Sequence, residues 1–136
     1  MMKIRNVIAV AVENEKGEVL LFHRRADLSF HADMWYIVAG HIQEEETPDE
    51  CMVRELKEEI GVEKFELLKG PIFAIDSESN EKYVFHAHLY RVKAKEKITI
   101  DPIEHDDHKW VKPSDALKYK SIPGLTMNLR KLGYNV

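Results

Sequence analysis

One stretch of the chain is both strongly acidic and built to be a helix, and it limits the fold more than any other feature. From Glu44 to Glu59 there are eight acidic residues, opposed only by Arg54 and Lys57. The stretch carries −6, so the remainder of a chain whose formal charge is −4 carries +2. It is central and interleaved with Met52, Val53, Leu56 and Ile60, which excludes an acidic tail. Thr47-Pro48-Asp49-Glu50 has the form of a capping box with proline at the first helical position. Gly61 supplies the C-terminal stop. At about 100° per residue, Met52, Val53, Leu56 and Ile60 share one sector, expected to face a core. Glu55, Glu58 and Glu59 share another sector, roughly opposite. Carboxylates three and four residues apart are neighbours on a helix and repel when unpaired. Two readings stand at this point. A run of glutamates is commonly a solvated face. Clustered carboxylate oxygens also suit a hard divalent cation, Mg2+ or Mn2+, which keeps coordination places for water and phosphate.

Around this helix the pattern alternates between strands and turns. Asn6 to Val12 is apolar and β-branched, predicting a strand. Asn14-Glu15-Lys16-Gly17 predicts a turn, and Glu18 to His23 its hairpin partner. Arg24 to Met34 reads as a polar loop. Trp35 to Val38 reads as a short strand running into Ala39-Gly40 and an acidic loop. Phe65 to Ile75 and Lys82 to Val92 predict two further strands, joined by a loop over 76–80. A short strand is expected at His108 to Val111, with helices at Ser114 to Tyr119 and Leu125 to Leu132. Strands before and after one well-capped helix predict an α/β domain with a mixed sheet.

Composition narrows the function. A chain of 136 residues, 44% apolar and 32% charged, suits one globular domain spanning 1–136. Its acidic balance disfavours stable, sequence-independent nucleic-acid binding. The single cysteine, Cys51, excludes an internal disulfide framework and a multi-cysteine zinc site. No apolar run approaches the roughly 20 residues of a membrane span. Val7 to Val12 is also shorter than a signal-peptide core, so no membrane partner and a cytoplasmic setting are expected.

Residues 40–62 read GHIQEEETPDECMVRELKEEIGV. This stretch resembles the Nudix box of the MutT-like Nudix hydrolases: glycine, five residues, glutamate, seven residues, Arg-Glu, an aliphatic, any residue, Glu-Glu, any residue, glycine, an aliphatic. The matching positions are Gly40, Glu46, Arg54-Glu55, Leu56, Glu58-Glu59, Gly61 and Val62. Trp35 before the box, and Glu104-His105 with Trp110-Val111 after it, are similar in type to flanking segments of such proteins. Three departures stand out. Val38-Ala39-Gly40-His41 replaces a common Pro-Gly-Gly start, Glu44-Glu45 replaces a small or glycine-containing stretch, and Cys51 replaces a small residue.

The resemblance implies an α/β/α sandwich with a mixed β-sheet. It also implies Mg2+-dependent hydrolysis (Mn2+ as an alternative) of a nucleoside diphosphate linked to another group, by water attack on phosphorus. By position, Glu55, Glu58 and Glu59 would be the principal metal ligands, with the Gly40 backbone close to the metal. Arg54 would orient the glutamates, Glu46 would support that arginine, and Gly61 would end the helix. Glu104 is a candidate extra carboxylate, either general base or metal ligand. Arg24 and Arg25 are candidate phosphate contacts, since guanidinium forks suit phosphate oxygens. The expected substrate is a nucleoside triphosphate or related nucleotide, with dinucleoside polyphosphates open. A nonhydrolytic nucleotide-sensing module is a second reading. An isoprenoid diphosphate isomerase is a third, disfavoured because no second cysteine is available as a catalytic acid. A monomer or homodimer is expected.

Several residues outside the box admit both a bland and a chemical reading. Cys51 is expected to be a small packing residue, with a zinc- or oxidant-sensitive thiolate as the alternative. His86 and His88 share a strand face, and His105 and His108 fall in a polar segment. For these, packing or solvation is the expected role. Trp35, Tyr83 and Phe85 are expected in the core, with base stacking as the alternative.

Overall fold

The computed structural model describes residues 3–25, 33–76, 82–100 and 105–136. The chain order is β1 (Lys3–Glu13), β2 (Val19–Arg24), β3 (Trp35–Tyr36), β4 (Val38–His41), α1 (Pro48–Ile60), β5 (Phe65–Asp76), β6 (Tyr83–Ala94) and β7 (His105–Val111). A 3-10 helix (Pro113–Lys118) and α2 (Leu125–Lys131) follow. β1 is buried on both faces from Ile8 onward, which explains its unbroken apolar run. Ile8, Val10 and Val12 join Leu20, Phe22, Tyr90 and Val92 beneath α1. Ala9 and Ala11 join Leu21, Ala87 and Leu89 on the other face, beneath the 3-10 helix, α2 and Tyr134. Two cores separated by one mixed sheet make the expected α/β/α sandwich.

Among the described strands β1 and β6 run parallel, in register from Lys3–Tyr83 to Glu13–Lys93. β5 lies antiparallel to β6. On its other side β1 meets β2 at the hairpin, where Glu13 pairs with Val19. Asn14 Oδ1 accepts from the Lys16 and Glu18 amides there, and Gly17 takes a φ of 75°. Away from the hairpin β1 pairs with β4, from Val7–His41 to Val10–Val38. β2 pairs instead with β3 and β7. The two branches part, and the functional cavity lies between them.

Several expectations need correction. Trp35 to Val38 is two short strands rather than one, and the expected loop at Ala39-Gly40 is strand β4. β7 begins at His105, three residues earlier than expected, because its first half pairs with the end of β2. The helix expected at Ser114 to Tyr119 is a 3-10 helix starting at Pro113. Val53 is 48% exposed instead of facing the core. The helix is rotated so that Cys51 and Glu55 are buried with Met52, Leu56 and Ile60. A hydrophobicity pattern assigns a glutamate to water, but here Arg54 pairs with Glu55 and the Gly40 backbone leaves room for it.

Candidate active site

α1 is fixed at both ends. The Thr47 hydroxyl accepts from the Glu50 amide at 3.1 Å, and the Glu50 carboxylate accepts from the Thr47 amide at 3.0 Å. At the other end Gly61 is left-handed (φ 66°), and the Gly61 and Val62 amides donate to Lys57 and Leu56 carbonyls. This sets the rotation at which Arg54, Glu55, Glu58 and Glu59 reach the cavity.

Arg54 organises the acids. Its Nε and Nη2 donate to the two carboxylate oxygens of Glu46 at 2.7 and 3.0 Å, a forked pairing. Its Nη1 donates to Glu55 at 2.8 Å and to Glu58 at 3.1 Å. Nη2 also donates to the His41 carbonyl, tying α1 to β4. The Glu46 carboxylate, held first by Arg54 and then by the Gln43 amide, falls to about 2. The arginine in turn is shifted upward by the same pairing. Arg54 is thus a framework residue touching three glutamates.

Exposure grades across the three glutamates after it. Glu58 stands at the mouth, with 58% of its side chain exposed, whereas Glu55 and Glu59 keep 11% and 14%. Burial shifts Glu55 upward; a hydrogen bond from Glu59 and the charge of Arg54 oppose that shift, while the charge of Glu58 adds to it. Gly40 fits this geometry closely. Paired with Ile8 in β4, it lies so near Glu55 that a Cβ there would fall 2.3 Å from the carboxylate carbon. Any side chain at this position would displace Glu55.

Sequence reasoning assigned His105 to a polar segment. The structure buries it at the start of β7, stacked on Phe22 with ring centroids 4.5 Å apart. Its Nε2 is 3.9 Å from Glu59. Only the pairing of β7 with β2 brings it there. The thiolate reading of Cys51 fails: the side chain is wholly buried in the α1 core, and burial pushes its thiol up to about 12. His86 and His88 flank the Phe73 ring, each 5.4 Å from it, on the same sheet face as Tyr90.

Gly40, Arg54, Glu55, Glu58 and Glu59 share a cavity of about 560 Å³ with Phe22, Arg24 and His105. Arg24 reaches the lining and Arg25 does not. Glu104 lies outside the described residues. At the far end the lining comes from Tyr36, Asp76, Phe85, Ala87, Pro123 and Asn128. Of the three aromatics considered for stacking, Phe85 lines the cavity, while Trp35 packs against His23 and Tyr119. Tyr36, Asp76 and Asn128 carried no motif, so sequence alone had no signal for them.

The donor chemistry fits a hard divalent cation: three carboxylates on one cavity wall, beside a backbone kept bare by Gly40. They are not a closed cage. Among the described residues no three acidic, histidine or cysteine side chains converge on one point, and Arg54 spans Glu55 and Glu58 instead. No helix among the described residues is long and apolar enough to cross a membrane.

A family model described as the NUDIX domain matches residues 2–129. The chain is 30% identical to CTP pyrophosphohydrolase of Escherichia coli K12, over 90% of this chain and 86% of that protein. It is 27% identical to nucleoside triphosphatase NudI of Klebsiella pneumoniae, over 87% and 89%. Its fold is similar to that of a MutT protein from Methanosarcina mazei Go1, with a TM-score of 0.80 at 19% identity, over 96% of this chain and 92% of that one. The Escherichia coli ORF135 protein is similar as well, with a TM-score of 0.71 at 24% identity, over 99% and 96%. A family match spanning nearly the whole chain, together with the box on a helix that borders a cavity, places this protein in the Nudix family as a hydrolase.

Proposed function

We propose that the protein is a Mg2+-dependent pyrophosphohydrolase of nucleoside triphosphates, with Mn2+ as a substitute. The observation that carries this reading is the shared cavity, with Glu55, Glu58 and Glu59 at one end and an aromatic and apolar body extending from them. The names of the two relatives, a CTP pyrophosphohydrolase and a nucleoside triphosphatase, support a nucleotide substrate.

Glu55, Glu58 and Glu59, with the Gly40 backbone, would hold the metal. When bound, it offsets phosphate charge and lowers the pKa of water. The remaining work belongs to the chain. Arg54 keeps Glu55 and Glu58 at fixed spacing and is itself fixed by Glu46. Positioning of this kind matters because a displacement of about 1 Å can cost about a hundredfold in rate. Glu58, the most exposed of the three, is placed to accept a proton from an attacking water. Arg24, at the cavity wall, binds phosphate oxygens. Glu104 remains a candidate second base.

The test is a panel of nucleoside triphosphates and dinucleoside polyphosphates, with and without Mg2+, and with products identified. The expected result is a nucleoside monophosphate and pyrophosphate, formed only with metal. Release of single orthophosphates, or metal-independent turnover, would overturn the reading.

A further inference from the structure

The segment Ile72-Phe73-Ala74-Ile75 is apolar at every position, although a strand with one solvated face should alternate apolar and polar residues. Ile72 and Ala74 pack on the core beneath α2, as the alternation requires. Phe73 and Ile75 lie across from His88 and His86 on the opposite face. They keep 52% and 60% of their surface in solvent. The Phe73 ring is held there between the rings of His86 and His88. Neither exposed side chain is needed to fill a core.

β5 is also the last strand on its side of the sheet. It pairs with β6 and with no other described strand, so its outer backbone donors and acceptors are open to another strand. Such edges are commonly blunted by brevity, charge, proline or a bulge. At the other end of the strand order, β3 is two residues long. The first half of β5 carries Glu66, Lys69 and Pro71, with register shifts between Leu67 and Lys69 and between Lys69 and Ile72. The second half has no such protection before Asp76. From Ile72 to Asp76 its pairing with β6 is regular.

We propose that this segment is a self-association surface, and that its partner is the same segment of a second copy, paired antiparallel about a two-fold axis through Ala74. Open backbone groups call for a strand, and identical strands run antiparallel satisfy one another. With Ala74 on the axis, Phe73 lies across from the partner's Ile75, an aromatic–β-branched pair that the symmetry makes twice. Asp76 lies across from the partner's Ile72, so no charge meets a like charge. The pairing consumes this edge on both copies, which closes the assembly at two. The strip is smaller than the about 800 Å² per partner of a standard interface, so association is weak, with a Kd above about 1 µM. Asp76 and its cross-strand neighbour Phe85 line the cavity, so the axis runs beside the cavity's remote wall.

The test is sedimentation velocity with light scattering on the full chain, from about 10 µM to about 1 mM. The unaltered protein should pass from monomer to dimer across this range. Phe73→Lys and Ile75→Glu, both at half-exposed positions, should each weaken association by at least about tenfold. Circular dichroism checks that both are folded. An equimolar mixture of the two should dimerise again, because the pairing sets the introduced lysine across from the introduced glutamate. Hydrogen exchange gives a second reading that needs no variant: amides within 72–76 should slow as the concentration of the unaltered protein rises. A monomer at about 1 mM would overturn the proposal and leave the edge to a foreign strand. A dimer unaffected by either folded variant, a mixture that stays monomeric, growth beyond the dimer, or exchange in 72–76 that ignores concentration would overturn it as well.

Discussion

The two ends of the cavity are built in different ways. The acids of the α1 end come from a single stretch of 23 residues, Gly40 to Val62, in which a strand, a capped helix and an arginine fork hold one another, while β2 and β7 add Phe22, Arg24 and His105. The α2 end is assembled from β3, β5, β6 and α2, with one or two residues from each. The helix there has seven residues, and its N-cap, Gly124, makes no side-chain capping bond. It is held from outside: Tyr134 donates to Glu13 at 2.7 Å, and Arg91 ion-pairs with Glu13 while donating to the Leu132 carbonyl. The first end is built mainly by contacts within that stretch and suits chemistry common to many substrates. The second depends on tertiary packing, so single residues there can change without dismantling the acidic wall.

The sharpest way to break this contrast is at the acids. Glu58→Gln or Glu59→Gln should lower turnover about a thousandfold for every nucleotide while the fold survives. Circular dichroism with steady-state kinetics checks this, and near-normal turnover in both variants would remove the assigned metal roles. Gly40→Ala should be next. Its methyl group would meet the Glu55 carboxylate, and kcat/KM should drop about a hundredfold. An unchanged rate would show that Glu55 moves aside freely.

Stability should separate the two faces less than activity does. Leu56→Ala on the inner face of α1 and Leu129→Ala on the inner face of α2 both remove wholly buried side chains. Each should cost about 2–5 kcal/mol in denaturant unfolding, because the cavities left can only partly collapse. A loss confined to Leu56→Ala would mean that the α2 face packs loosely.

A smaller effect concerns acid. Glu46 titrates near 2 in the folded protein, against an ordinary 4.5. A depressed carboxylate stabilises the fold above its unfolded value, and that stabilisation fades as pH falls from about 5 toward 2. Glu46→Gln should therefore flatten the pH dependence of unfolding in this window and leave Tm above pH 6 lower. An unaltered acid profile would show that Arg54 holds its place without Glu46. The smallest effect is expected at Val53→Ala, under about 0.5 kcal/mol, since Val53 is half in solvent. A core-sized loss there would restore the sequence-based assignment of the helix face.

The fold class, the alternation of strands and the caps of α1 were legible because they follow from local chemistry. Thr47, Pro48 and Gly61 act on their own neighbours. The parity of Ile8, Val10 and Val12 against Ala9 and Ala11 sorts two faces within one strand. The face of α1 was misjudged at Val53 and Glu55, because hydrophobicity sends a glutamate outward unless a partner elsewhere receives it. Arg54 and the space left by Gly40 are that provision, and only the box pattern, never periodicity, hinted at it. His105 was noted only as part of a segment similar to the family's, and its burial was not legible, since that depends on β7 pairing with β2 across more than 80 residues of chain.

The sequence by itself determined a capped acidic helix and an alternation of strands, because these follow from contacts between residues close along the chain, and its box pattern resembled a hydrolase family, which implied the sandwich. Tertiary structure alone decided which carboxylates are buried, that His105 lies beside Glu59, and that Asp76, Tyr36 and Asn128 face one cavity. Those neighbours are brought together by strand pairing and helix docking, and a linear pattern holds no record of distances set in that way.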